Sequence, residues 1–209
     1  MGVPTVLSGL LRLAETRIRG PSPSFDRAQF VLAFLTVGAT GTIGRAALAR
    51  KAMLGEGAVR TVLKRLRSSG YAEATASGCR LSAAGAEMYR SLKRKLSDPV
   101  SLGDSQLTVG RSQIAFAVRG GGRLVKGGLE QRDSAVRAGA AGATTYVMKG
   151  GKFIMPTGSF DCERDFPSPA WENLRTRLKP RDGDAMILCG SGDETSATLG
   201  ALSAALTLF

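Results

Sequence analysis

Between residues 3 and 96 apolar side chains recur every three or four positions, the spacing that gathers them on one face of a helix. Residues 3–19 are predicted helical, with Leu7, Leu10, Leu11, Ala14 and Ile18 on one side. Gly-Pro-Ser-Pro-Ser (20–24) ends that helix, because proline cannot continue it and favours an extended linker. Ser24 is placed to cap a helix over Phe25 to Thr36, apolar at Phe30, Val31, Phe34 and Leu35. Gly-Ala-Thr-Gly-Thr (38–42) reads as a turn, and a helix from Ile43 or Gly44 to Met53 offers Ala47, Leu48 and Met53 to a core. A further helix, about 56–69, follows Leu54-Gly55. Tyr71 to Thr75 alternates weakly, Ser77-Gly78 signals a turn, and Cys79 to Leu81 can pair back. Ser82 then caps a helix running through residues 89–96. This order of helices, tight turn, helix, hairpin and helix is that of a winged helix-turn-helix.

The second half is patterned differently. Residues 97–105 read as a connection between domains. Residues 112–120 and 184–190 are short apolar strands, and 143–150 with 152–156 form a hairpin about Gly150-Gly151. Helices are predicted over 130–140 and 169–178, the latter starting beside a proline, and from Asp193 onward. The series suggests a ferredoxin-like βαββαβ arrangement with an added C-terminal helix. The expected fold class is therefore α+β, in three parts: an N-terminal helix and Pro-rich linker (1–24), a winged helix (25–98) and a small α/β sandwich (106–209).

Helix 56–69 carries the clearest chemistry. Val59, Val62, Leu63 and Leu66 share the side that should pack inward, while Gly57, Arg60, Thr61, Lys64 and Ser68 face the other way, flanked by Arg65 and Arg67. A recognition helix presents its N-terminal residues to base edges in the major groove. Gly55 and Gly57 remove bulk there, and the helix terminus favours a phosphate. Arg60 has the reach for a bidentate contact with guanine, whereas Lys64 and Arg67 suit phosphates. Arg80 is expected near the hairpin tip as a wing contact. An amphipathic helix whose charges only face water is the plainer alternative.

Charge favours the first reading. The chain is +12 overall, with 16 Lys/Arg against 6 Asp/Glu in residues 1–98 and 13 against 11 in residues 99–209. That asymmetry points to a half that binds a polyanion. The sequence has 0 histidines, which excludes His-based triads, His general bases and zinc fingers with His ligands. Its 3 cysteines, Cys79, Cys162 and Cys189, are far apart and read as free thiols of a reducing compartment, so the expected location is the cytoplasm. The weakly polar runs 30–41 and 199–209 are about half as long as a bilayer crossing, and no signal-peptide stretch opens the chain; no membrane association is expected.

Leu54 to Glu73, residues 130–156 and residues 182–206 together resemble a family of archaeal winged-helix proteins, taken to be transcriptional regulators, with a C-terminal domain of unknown function. The resemblance spans most of residues 25–206 and implies a two-domain fold with the winged helix first. The glycine-rich 119–128 departs from it.

Sites in the second half are weaker. Arg119, Arg123 and Lys126 in the glycine-rich loop could close over a phosphorylated ligand, against the alternative of a flexible solvated loop. Ser191, Gly192 and Asp193, between a strand and a helix, could cradle an anion or form a simple turn. Asp161, Glu163 and Asp165 could hold a hard cation but read better as a solvated acidic loop. No metal, cofactor or catalytic residue is assigned. The expected function is a sequence-specific DNA-binding transcriptional regulator, not an enzyme. It would act as a homodimer through the final helix or residues 3–19, with a small-molecule effector of unassigned identity. The rivals are an enzyme with an appended winged helix, for which Cys189 or Asp193 would be the first suspects, and a protein-interaction module.

Overall fold

The computed structural model describes residues 5–15 and 24–209. Ile18 and linker residues 20–23 lie outside the described residues, as does the side chain of Leu7. The chain is mixed α+β with two antiparallel sheets and divides into two compact units, Met1–Leu92 and Lys93–Phe209.

In the first unit, α1 (Thr5–Glu15) packs on α2 (Arg27–Thr40), α2 on α3 (Arg45–Ala52), and α3 on α4 (Glu56–Ser68). Phe30, Phe34, Leu48, Val59, Val62 and Leu66 are all fully buried, the i, i+3/i+4 stripes of three helices meeting in one core. The start of α2 differs from the expectation. Asp26, not Ser24, caps it, in a reciprocal box in which Asp26 accepts from the Gln29 amide at 2.8 Å and Gln29 accepts from the Asp26 amide at 3.1 Å. Nor does α2 stop at Thr36: it continues through Gly38 to Thr40 and ends at Gly41, in the left-handed region at φ 77°. Gly38 is needed inside the helix because a Cβ there would lie 2.3 Å from the Tyr89 ring.

β1 (Thr42–Ile43), β2 (Ala72–Thr75) and β3 (Gly78–Leu81) form a sheet of order β1-β3-β2. Ser82 caps α5 (Ala83–Lys95) as expected, accepting from the Gly85 amide at 3.0 Å. The division between the units falls within α5.

The second unit is a five-stranded sheet, β4 (Val100–Ser101), β5 (Ser112–Val118), β8 (Ala185–Ser191), β6 (Gly142–Lys149) and β7 (Lys152–Ile154), in that spatial order and antiparallel throughout. A ferredoxin-like sheet would leave β8 at an edge and put β7 in the interior. Here β8 is central, because all seven of its residues are buried, and three-residue β7, with Lys152 exposed, suits an edge. Residues 97–105, expected as a connection, contribute edge strand β4, with Val100 buried against Ala115.

One sheet face is covered by α6 (Leu129–Arg137) and α9 (Glu194–Leu206). The other carries an aromatic cluster in which Trp171 lies 4.8 Å from Phe153 and 5.1 Å from Tyr146. Trp171 belongs to α8 (Ala170–Asn173), which follows the short α7 (Cys162–Asp165) and runs on as one π-helical turn, Leu174–Leu178. The β6–β7 hairpin turns on Gly150 and Gly151 at φ 58° and 73°, and Asp182 accepts both of their amides.

α9 is buried almost all round, so the expectation that it forms a dimer surface is wrong: it is a core helix. The apolar side of α1 is likewise used internally, with Leu10, Leu11 and Ala14 at 0%, 5% and 6% exposure.

Candidate nucleic-acid interface

α4 begins at Gly55, which offers no side-chain cap, so the first amides of the helix keep their donors for another acceptor. Its inner flank (Ala58, Val59, Val62, Leu63, Leu66) is buried, while Arg60, Lys64, Arg67 and Ser68 are exposed. An open hollow of about 940 Å³ lies between α4, the start of α3 and the β2–β3 hairpin, and Arg45, Arg60, Lys64 and Arg67 all border it. A second hollow, about 750 Å³, lies between α3 and α4 and is bordered by Arg45, Arg50, Glu56 and Arg60. Arg45 and Arg60 therefore stand between the two.

The structure thus brings Arg60, Lys64, Arg67 and Ser68 together. Gly57 is exposed with open space about it, as a close approach to a duplex requires. Thr61 borders neither hollow; its hydroxyl donates to the Gly57 carbonyl of its own helix at 3.2 Å. Arg80 is not at the hairpin tip. It sits within β3 opposite Glu73, and its Nε donates to Glu73 Oε1 at 2.6 Å. Pairing directly across the ladder satisfies that cation on the sheet, and the tip (Thr75 to Gly78) carries no charge.

Arg65 also departs from its expected flanking position. It is 6% exposed and turns inward, donating to the carbonyls of Leu13 at 2.8 Å and Ala14 at 2.9 Å, with its guanidinium 5.1 Å over the Phe25 ring. Those carbonyls belong to the last turn of α1, where a cation is favoured. Arg45 and Arg50 were missed by sequence reasoning. Their only signal was two cations five apart on the helix before α4, which gains meaning once the α3–α4 angle sets them beside Arg60.

The other candidate sites do not assemble. Asp193 caps α9, accepting from the Ser196 amide at 2.8 Å; that bond holds its carboxyl below the usual range and fills the helix terminus with the chain's own anion. Ser191 is buried, and the Gly192 carbonyl accepts from Arg111. Arg119 is bound to Asp184 at 2.7 Å and to the Leu178 carbonyl at 2.6 Å, so it anchors the glycine-rich loop and does not offer a free cation. Arg123 and Lys126 are exposed. The loop is seated by a 3-10 turn (Gly122–Leu124) and by the Gly122 amide on the Gly183 carbonyl at 2.8 Å. Asp161, Glu163 and Asp165 pair with Lys152, Arg175 and Arg164 in turn. Among the described residues no acidic, Cys or His cluster could hold a metal ion. Burial pushes the Cys189 thiol up to about 12, which denies it nucleophilic use near neutral pH.

Two units, each built on its own antiparallel sheet, define a mixed α+β protein. Residues 109–208 match the family described as Domain of unknown function (DUF4443). The chain is similar in structure to the hypothetical protein PH0730 from Pyrococcus horikoshii OT3, with a TM-score of 0.68, 22% identity, and coverage of 88% of this chain and 93% of that one. The likeness is one of fold and extends over both units. The C-terminal region is thus a domain of unknown function with an archaeal structural neighbour. No curated protein matches the chain. No helix among the described residues is long and apolar enough to cross a membrane.

Proposed function

We propose that this protein is a cytoplasmic, sequence-specific double-stranded DNA-binding transcriptional regulator. In this reading the first unit is a winged helix-turn-helix, α4 its recognition helix and β2–β3 its wing. The observation that carries it is the set Arg45, Arg60, Lys64 and Arg67, exposed around one open hollow between α4, the start of α3 and the β2–β3 hairpin. Arg60 reads a guanine edge, Lys64 and Arg67 hold phosphates, and the wing contributes hydroxyls and backbone in place of Arg80. A homodimer presents two α4 helices to half-sites about one helical turn apart. Its contact surface lies outside α9 and the apolar side of α1, which are already buried. The C-terminal unit serves dimerisation, effector binding or both.

Fluorescence anisotropy on short duplexes tests the proposal. Neutralising about four phosphates makes log K fall with log salt at a slope of about −3 to −4. Arg60→Ala relaxes sequence preference and costs about 1–3 kcal/mol at one base pair, whereas Lys64→Ala weakens all sequences alike and flattens the slope by about 1. Binding that ignores salt, or equal and sequence-independent losses for both variants, defeats the reading. A monomer by light scattering at high concentration removes the dimer clause.

A further inference from the structure

A cleft of about 390 Å³ opens within the C-terminal unit, between the glycine-rich loop and the β6–β7 hairpin. Its floor is aliphatic: Val147 and Ile154 are direct partners across the hairpin, and Val125 from the loop and Met155 close the sides. The loop comes this close because residue 122 is glycine; a Cβ there would stand 2.7 Å from Val147 Cγ1 and 2.8 Å from the Gly183 carbonyl oxygen. Two cations border the apolar floor. Lys149 and Lys152 are themselves direct partners across β6–β7, so both point to the face that carries the cleft. Like charges placed directly opposite on a sheet repel. Lys152 is partly offset by the half-buried Asp161, 3.6 Å away, and by the field of Asp165, whereas no ion pair of Lys149 occurs among the described contacts. Deeper on the same face of β6, the buried Thr145 hydroxyl has no hydrogen-bond partner among the described residues, beside Gly128 and the cleft residue Pro156.

We propose that this cleft binds a small organic anion with an apolar body, its anionic end held between Lys149 and Lys152 and its body on Val147, Ile154 and Val125. The volume is that of a small-molecule site, and an aliphatic floor with few convergent polar groups is the usual make-up of one. An anion lying between the two ammonium groups accepts a charge-assisted hydrogen bond from each and lowers the repulsion that remains between them. The site uses none of the cations expected from the loop sequence. It also stands apart from the DNA reading, because every lining residue lies in the second unit.

The test is a titration of the full-length chain with the apolar fluorescent anion 8-anilinonaphthalene-1-sulfonate, followed by displacement. Saturable one-to-one binding is expected, reversed by octanoate and not by octyltrimethylammonium. Lys149→Met with Lys152→Met keeps the aliphatic stems and weakens binding about tenfold. Val125→Trp fills the cleft and abolishes binding. Both variants are to be compared at unchanged urea midpoint, read by circular dichroism; should Val125→Trp shift that midpoint, the lysine pair alone decides. Absence of saturable binding, equal displacement by the cationic amphiphile, or an affinity unmoved by loss of both lysines overturns the proposal. No DNA enters the measurement, so its failure leaves the DNA reading untouched, and the reverse also holds.

Discussion

Arg65 and Arg67 lie two residues apart on α4, yet the structure gives them opposite work, and replacing each by methionine separates the two. Methionine keeps an aliphatic stem of similar length and removes only the guanidinium. At Arg65 this deletes donors to two carbonyls at 2.8 and 2.9 Å and a cation over the Phe25 ring. Hydrogen bonds from a charged donor contribute about 1.5–3 kcal/mol each, and the ring contact about 0.5–1. Against that stands the desolvation of a guanidinium only 6% exposed, which methionine no longer bears and which amounts to several kcal/mol. The balance is a loss of about 2–3 kcal/mol, or roughly 10–20 °C in the melting of a unit this size. Urea unfolding followed by circular dichroism measures it. Arg65→Met should leave the salt slope of the proposed DNA binding unchanged under conditions where the protein is folded. Arg67→Met should do the reverse, flattening the slope by about 1 while changing stability by less than about 0.5 kcal/mol. An Arg65→Met protein as stable as the parent, or one whose salt slope flattens as in Arg67→Met, would refute the assignment of Arg65 to the end of α1.

Two further predictions concern the second unit. Asp184, 4% exposed, accepts from Arg119, from the Gly120 amide and from the Arg181 amide, so Asp184→Ala leaves two amides without their acceptor and removes the counter-charge of Arg119, which keeps the Leu178 and Lys179 carbonyls; a loss of about 2–4 kcal/mol is expected in urea unfolding monitored at Trp171. Burial raises the thiol of Cys189 to about 12, and those of Cys79 and Cys162 in the same direction, whereas unfolded thiols ionise near 9. Proton release then favours the unfolded chain, so stability is flat below about pH 8.5 and falls between about 9 and 12, by up to about 1.4 kcal/mol per pH unit for each buried thiol. Cys189→Ala should reduce the alkaline slope, and an unchanged slope across that range refutes its burial.

Periodicity alone determined the number and order of the main helices, the Ser82 cap, the Gly150-Gly151 hairpin and the apolar flank of α4, because each depends on residues within a few positions of one another. The basic face of α4 was legible for the same reason. Only the tertiary structure could put β8 at the sheet centre, since strand order depends on competition among all strands for the most buried place. It alone turned Arg65 away from the cationic face, because the carbonyls that capture it lie more than fifty residues earlier. By the same logic Arg80 went to Glu73 and Arg119 to Asp184, while Arg45 joined Arg60 and Lys149 met Lys152 across a hairpin above an aliphatic floor. A charged side chain is committed by whichever partner the fold brings nearest, and sequence spacing carries that information only within a helix turn or a strand pair.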